Sequence, residues 1–431
     1  MQTPETLSKS NQINRPPLVL IGASVRAAAQ SARRGGYRVI GIDLFGDADT
    51  RELCDEFYLL SPEIQQMTRP ELGDRVLAAI RGLPILPVGG LRRWPADLPA
   101  NGLFGSDPNE NCGSENGVLD DRASGKGTFR PPGSFRDFDD LGDFTEDPAI
   151  GFPETINAIT PPGRGKWLRK RTDSCGGLGI CWAANEDGGS LFRQKPAGDK
   201  NQAADQNHLG DQSSETRLQR WVRGRPFGAT LIHDGDQTTL VGVCRSVVTR
   251  IGSFPFAYGG SIGPVVLPPS VTNGITRFAD RVAETRRLRG LFNVDFILDG
   301  HDRAWILEVN PRWSASMELL EGQLRESDPT SSLIAMDLRS RERRLRSAER
   351  SSIRCQPRSI YQPRSVYQPR SVYFKRIHFA SRPHVFRRKR WTAALRLGSS
   401  LHDIPVDGQR IGMGEPICTE IERLEWNAEE S

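Results

Sequence analysis

Near residue 300 two apolar runs carry oxygen-bearing side chains: Gly290-Leu291-Phe292-Asn293-Val294-Asp295-Phe296, then Trp305-Ile306-Leu307-Glu308-Val309-Asn310-Pro311-Arg312. Strand side chains alternate between faces, so Glu308 and Asn310 project to one side, with Leu307 and Val309 turned into a core. Asp295, on a neighbouring strand, brings a third oxygen to the same place. Convergent hard oxygens suit Mg²⁺ (or Mn²⁺), which keeps a few protein ligands and fills its shell with phosphate and water. Asp295, Glu308 and Asn310 are thus candidate metal ligands at the metal end of a nucleotide site. The competing reading is a structural ion pair between Glu308 and Arg312, which leaves Asn310 unexplained.

A second set runs from Trp167-Leu168-Arg169-Lys170 into Ser174-Cys175-Gly176-Gly177-Leu178-Gly179-Ile180. A strand ends in a lysine and leads to glycines. Gly176, Gly177 and Gly179 let backbone approach a phosphate and aim N–H groups at it, and Lys170 supplies a point charge. The lysine precedes the glycines, so this is no Walker loop. A plain glycine hairpin with a solvated lysine is the alternative. A third set is Gln219-Arg220-Trp221-Val222-Arg223-Gly224. Backbone exposed where a strand gives way to a turn can read an adenine edge while side chains sandwich the ring; an ordinary strand and turn is the alternative.

These sets need strands to hold them. Leu18–Gly22 reads as a buried strand, Ser24–Arg34 as a helix ended by Gly35-Gly36, and Tyr37–Ile42 as a second strand closing on Asp43. That is a Rossmann-like βαβ opening and implies a parallel sheet, which Phe57–Leu60 and Pro84–Val88 extend. A G-x-G-x-x-G fingerprint is missing, so Gly22-Ala23-Ser24 with Asp43 is weak support for a dinucleotide enzyme. Strands resume at Trp167–Arg171, Ile180–Ala183, Leu218–Val222, Phe227–His233 and Thr238–Cys244, with a helix over Thr272–Leu288. Polar insertions fall at 106–147 and 195–214. The expected units are an α/β domain over 1–105, a nucleotide module over 106–330, and a C-terminal region over 331–431. The last holds an Arg-rich helix (Asp337–Arg354), a hexad repeated three times over Gln356–Tyr373, and a small β tail. A proline every six residues reads as extended backbone in a surface loop.

At 431 residues the chain has material for about three domains. Its seven cysteines form no CxxC pair, which argues against zinc and fits a reducing compartment. There is neither a basic-then-apolar leader nor a run of 18 apolar residues, so a cytoplasmic, non-membrane protein is expected. A net charge of +5 decides little. Arg339–Arg350 and Arg387-Arg388-Lys389-Arg390 raise nucleic-acid binding as a question. Glu342 and Glu349 within the first cluster favour a solvated helix, and no nucleic-acid partner is expected.

In order and spacing the three sets resemble the ATP-grasp superfamily, over about Gly163 to Glu321. Gly290–Arg312 is similar to the Asn-Val-Asp/Gln-Phe … Glu-Val-Asn-Pro-Arg signature of its carbamoyl-phosphate-synthetase-like, carboxylate–amine ligase branch. The resemblance implies a two-subdomain clamp on ATP. Lys170 and the glycines would then take the phosphates, Gln219, Trp221 and Val222 the adenine end, Asp295, Glu308 and Asn310 the Mg²⁺, and Arg312 the transferred phosphoryl or acyl intermediate. It also implies that Phe256–Pro264 is a loop near the acceptor, with Tyr258 and Ser261 as substrate contacts and Arg245 and Arg250 holding a carboxylate; a surface turn is the alternative. The implied reaction is Mg-ATP activation of a small-molecule carboxylate as acyl phosphate, then attack by an amine. Alternatives are a carboxylase, an amino-acid ligase, or a degenerate nucleotide-binding scaffold; a homodimer is admissible. Gly22–Asp49 and Ala257–Pro264 further resemble ATP-grasp proteins linked to one-carbon cofactor synthesis. The chain departs from the pattern where relatives place a connector Glu, since it offers Gln219, Arg220 and Arg223. A first phosphate lysine is represented only by Lys126 or Lys166.

Overall fold

A computed structural model describes residues 15–61, 71–91, 94–95, 97–98, 147–158, 160–162, 165–171, 174–183, 216–347, 371–392 and 398–425. Both polar insertions (Asp147 apart), Lys126, Cys112, Cys355 and residues 356–370 of the hexad repeat lie outside them.

The chain opens as β1 (Pro17–Gly22), α1 (Arg26–Arg34), β2 (Arg38–Asp43), α2 (Ala48–Leu53), β3 (Glu56–Leu59), α3 (Asp74–Ile80) and β4 (Ile85–Pro87). The strands form one parallel sheet in the order β3-β2-β1-β4. Leu18, Val19, Leu20 and Ile21 are all fully buried, as an unbroken apolar run in a parallel sheet should be. Gly36, at φ +88°, turns the chain out of α1.

After β5 (Ile150–Gly151), a small antiparallel sheet holds β6 (Thr155–Ile156), β7 (Trp167–Arg171), β8 (Ile180–Trp182) and β9 (Thr216–Arg220), in the order β6-β9-β7-β8. Then come β10 (Arg225–His233), β11 (Thr238–Ile251), β12 (Phe254–Gly263), α4 (Pro269–Thr285), β13 (Gly290–Leu298), β14 (Ala304–Asn310), α5 (Met317–Ser327) and α6 (Leu333–Ser347). The C-terminal part adds β15 (Ser371–Phe379), β16 (His384–Val385), α7 (Arg388–Thr392), β17 (Ser399–His402), β18 (Arg410–Ile411) and β19 (Pro416–Glu425). A nine-stranded sheet runs β17-β19-β15-β12-β11-β10-β13-β14-β5, and β16 pairs with β18 over a small core of Phe386, Ile404, Ile411 and Ile417. One face of the large sheet packs on α4 through Phe278, Phe292, Phe296 and Val309.

Two expectations are corrected. The Phe256–Pro264 run is no loop. Residues 254–263 form the ten-residue strand β12, held between β11 and β15. Its glycines serve a bulge, where the β11 register slips past Gly259 and a Cβ on Gly260 would overlap the Lys375 carbonyl. The third hexad copy is also not all loop: Ser371–Tyr373 opens β15, and Tyr373 Oη donates to Glu326 at 2.7 Å. Tyrosine and valine in those copies are good strand formers once a partner strand is at hand.

One ion network ties the three parts of the chain together. Arg26, 1% exposed, donates from Nε to Asp403 at 3.0 Å and from Nη1 and Nη2 to Glu318, the latter at 2.9 Å. Lys375 Nζ reaches Glu318 at 2.8 Å, and Asp49 accepts the backbone N–H groups of Asp403 and Ile404, each at 2.9 Å. Against the upward push of burial, Arg26 and then Lys375 hold the Glu318 carboxyl down at about 2. Arg26→Met should therefore cost about 3 kcal/mol, because it leaves two half-buried carboxylates without their main partner. A urea midpoint unchanged by the substitution would show that the network carries no weight.

Candidate active site

The carboxylates sit on the β13–β14 hairpin. Antiparallel pairing sets Asn293 opposite Asn310 and Asp295 opposite Glu308. All four therefore share one face, the face opposite α4. Asn293 Nδ2 donates to Asp295 at 2.6 Å; Asn310 Nδ2 donates to Asp295 at 2.8 Å and to Glu308 at 3.2 Å; Arg312 Nη2 donates to Asn310 Oδ1 at 2.9 Å. The expected convergence of Asp295, Glu308, Asn310 and Arg312 is present. The strict alternation is not. The register slips after Asp295, so Leu307 is the extra residue of a bulge and only half-buried, while Ile306 and Val309 enter the core.

Burial first, and the facing Glu308 second, push Asp295 up to about 7. Among the described residues no group of three or more His, Cys, Asp or Glu side chains is gathered to hold a metal. Two carboxylates nevertheless suit Mg²⁺, which takes one or two from protein and the remainder from phosphate and water. Their mutual repulsion is what a cation between them would relieve.

The small sheet meets the large one at β12, where the Trp182 and Phe256 ring centres lie 5.3 Å apart. Lys170 Nζ donates to Gln219 Oε1 at 2.8 Å, and Gln219 Nε2 donates to Thr155 at 3.0 Å. The glycine turn is folded onto the large sheet: Tyr258 N donates to Gly176 O at 2.8 Å, and the Cys175 thiol to Gly90 O at 3.1 Å. Gly177, at φ +77°, allows this approach, since a Cβ there would overlap the Phe256 carbonyl. Lys166, a candidate for the first phosphate lysine, instead lies 5.1 Å from the Trp221 ring centre and 5.9 Å from that of Trp182.

At the far end a cavity of about 640 Å³ opens between the connector, Val222 to Arg225, and the β13–β14 turn, Leu298 to His301, with Trp305 on its wall. Trp305 pairs with Ile297, two residues beyond Asp295, so it shares the carboxylate face. Val222, one of the residues expected at the adenine end, lines this cavity. Asp299, His301 and Trp305 were not foreseen, because nothing in sequence says that a hairpin turn folds toward the connector.

At the opposite end Tyr258 and Ser261 lie on the carboxylate side and bond each other at 2.8 Å; burial raises the Tyr258 phenol above its ordinary range. Arg245 does not join them. It pairs with Phe227 and Ile262, and Ser261 with Ser246, so Arg245 points from the other face and is exposed. Arg250, further along β11, is exposed as well. Arg312 instead lies against Gly89, where a Cβ would overlap its Nη1; Gly89 N donates to Trp313 O at 3.1 Å. The Gly89-Gly90 pair after β4 is the sequence signal that went unread.

Residues 144–316 match the family model of the ATP-grasp domain. No curated protein sequence matches it. Solved structures of low identity share the fold across nearly its whole length. One is an N5-carboxyaminoimidazole synthetase from Staphylococcus aureus complexed with ADP: 13% identity, 96% of this chain and 94% of that one, TM-score 0.56. An L-amino acid ligase from Bacillus licheniformis follows at 10% identity, 96% and 95% coverage, TM-score 0.55. The biotin carboxylase domain of a 2-oxoglutarate carboxylase from Hydrogenobacter thermophilus, with MgADP, ADP and bicarbonate, gives 11%, 95% and 86%, and 0.53. Among the described residues no helix is long and apolar enough to cross a membrane.

A folded-state carboxyl raised to about 7 keeps a proton that the unfolded chain has released above about pH 4. Its contribution to stability is complete below that point and is lost as pH climbs to about 7. Melting temperature without Mg²⁺ should thus fall more steeply from pH 5 to 8 in the parent than in Asp295→Asn. Asp43 and Asp47, raised chiefly by burial to about 7 and about 8, leave a slope of the same sign in both proteins. Identical slopes would mean that Asp295 is already ionised.

Proposed function

We propose that the protein is an Mg-ATP-dependent ligase that activates a carboxylate as an acyl phosphate and transfers the acyl group to an amine. The observation that carries this reading is the Asp295–Glu308–Asn310–Arg312 set, with the open groove beside the connector on one side and Tyr258, Ser261 and Gly89 on the other. The ADP and MgADP complexes of two similar structures support the nucleotide. The amino acid ligase among them supports the amine as acceptor.

Asp295 and Glu308 are the proposed Mg²⁺ ligands, with Asn310 completing the set and aiming Arg312. Held there, the ion would supply positive charge against which the phosphates develop negative charge. Lys170 and the amides of the glycine turn take the remaining phosphate charge. A substrate carboxylate oxygen attacks the γ-phosphorus and ADP leaves. Arg312 spreads its two-pronged donors over the charge that builds there. The amine then attacks the acyl carbon, phosphate departs, and the nitrogen loses its proton to solvent. The glycine turn, seated on β12, keeps water from the acyl phosphate meanwhile. The competing reading is a nucleotide-binding module without turnover. It draws on Lys170 being engaged by Gln219 and on the arginines at 220 and 223, which offer donors only.

ADP release from Mg-ATP, measured across paired carboxylates and amines, separates the two readings. Turnover should appear with a matching pair and fall by about 10²-fold or more in Glu308→Gln. Binding of Mg-ATP without ADP release under any pair would favour the scaffold. Gly89→Ala should leave the melting temperature nearly unchanged, because the atom it displaces is the end of a long side chain. Its turnover should nonetheless drop about tenfold or more, since an ångström of misplacement is costly in such a site. Unaltered turnover in Gly89→Ala would remove Arg312 from the reacting centre.

A further inference from the structure

The basic run Arg387-Arg388-Lys389-Arg390 has no part in the ligase reading. The fold sets it on an outward strip of the C-terminal part. β16 and β18 pair Val385 with Arg410 and His384 with Ile411, and the ladder continues through Phe386 N, which donates to Gln409 O at 2.8 Å. Phe386 and Ile411 are buried in the small core, so alternation turns Val385, Arg387 and Arg410 outward. At one end of the strip the turn at 406–409 meets the start of α7, where Asp407 accepts the Arg388 backbone N–H at 2.9 Å. At the other end Gly414 N donates to Ala380 O at 2.7 Å, which brings the segment of Met413 against that of Arg382.

Two features of this strip define a partner. The first is charge. Arg382, Arg387, Arg388, Lys389, Arg390 and Arg410 are all exposed, against two exposed carboxylates, Asp407 and Glu415. Asp407 lies 3.4 Å from Arg387, and Glu415 accepts the Gly412 backbone N–H at 2.7 Å. The second is apolar area among the cations: Val385, Val406 and Met413 are 43%, 46% and 60% exposed. Single exposed aliphatics are ordinary, but three on one cationic strip are a surface with two chemistries. A nucleic-acid backbone would use the cations and leave the aliphatics idle. Its bases stack on exposed aromatic rings, whereas Phe386 is fully buried and Trp391 packs edge-on to His378 with ring centres 5.2 Å apart. The surface of an anionic bilayer uses both chemistries: the headgroups take the cations and the acyl boundary takes the aliphatics.

We propose that this strip docks the protein on a membrane surface rich in anionic lipid. The contact is peripheral and reversible. It is independent of the ligase reading, since none of its residues belongs to the candidate active site. Each cation held near such a surface strengthens partitioning about fivefold, so a strip of this size suffices for docking without any spanning segment.

The test is co-sedimentation of the full chain with vesicles of phosphatidylcholine alone and of phosphatidylcholine with about one-third phosphatidylserine. The parent should bind the second and not the first, and should be released as salt rises from about 0.1 to about 0.5 M. The triple variant Arg382→Glu, Arg390→Glu, Arg410→Glu should partition about 10²-fold more weakly or worse. Its neutral counterpart, with Gln at the same three positions, should show a smaller loss and keeps the test open if the reversal disturbs folding. Val385→Ser with Met413→Ser should weaken vesicle binding about fivefold. Melting temperatures should stay near that of the parent, because every replaced side chain is exposed. Equal binding of the parent to both vesicle types, or to neither, would overturn the proposal. So would undiminished binding of both the reversed and the neutral triple variants. Unchanged partitioning of the serine variant would overturn the lipid assignment, since a contact made by charge alone suits any polyanion. Capture of RNA by the parent at a salt concentration that abolishes vesicle binding would assign the strip to nucleic acid instead.

Discussion

Two carboxylates face each other across one rung of an antiparallel hairpin. Like charges at directly opposed positions weaken a sheet, yet Asp295 and Glu308 are held there by Asn293, Asn310 and the strands behind them. Much of the site can be understood as what makes this pair tolerable. The strands carrying it lie well inside a nine-stranded sheet whose back packs on α4, so the hairpin cannot splay to relieve the repulsion. The relief is chemical. One carboxyl keeps a proton to about neutrality, and Arg312 is brought in from the adjoining turn.

The surroundings carry the opposite electrostatic character. Arg26 and Lys375 are buried, Glu318 and Asp403 half-buried, and the four are paired with one another. Such a network adds little net stability over apolar packing, but it penalises any arrangement in which a member loses its partner. It joins α1, α5, β15 and the segment after β17, and so ties the first and last parts of the chain to the nine-stranded sheet. Gly89 and Gly90 use that fixity: one lies under Arg312, and the other accepts the Cys175 thiol from the glycine turn.

Much of this was legible in the sequence, and the parts that were not have physical causes. Glu308 and Asn310 share a face because strand periodicity demands it, and the parallel opening follows from its apolar run and glycine stop. Leu307 was misassigned because a bulge breaks parity, and no residue type announces one. The resemblance implied a loop at Phe256–Pro264; β12 is a strand because β11 and β15 flank it, and β15 comes more than a hundred residues later. The same long-range pairing decides which face Arg245 takes. Asp299 and Gly89 lie in turns, where proximity to the site depends on how separate sheets are set against each other, information that local pattern does not contain.

The central claim is that a carboxylate oxygen becomes bonded to the γ-phosphorus in this cleft. It is tested most directly with a carboxylate substrate labelled with ¹⁸O in both oxygens, incubated with Mg-ATP, an amine and the protein, the released phosphate being read by mass spectrometry. An acyl phosphate route requires one labelled oxygen to appear in phosphate for each amide formed. Amide formation with unlabelled phosphate would contradict the account.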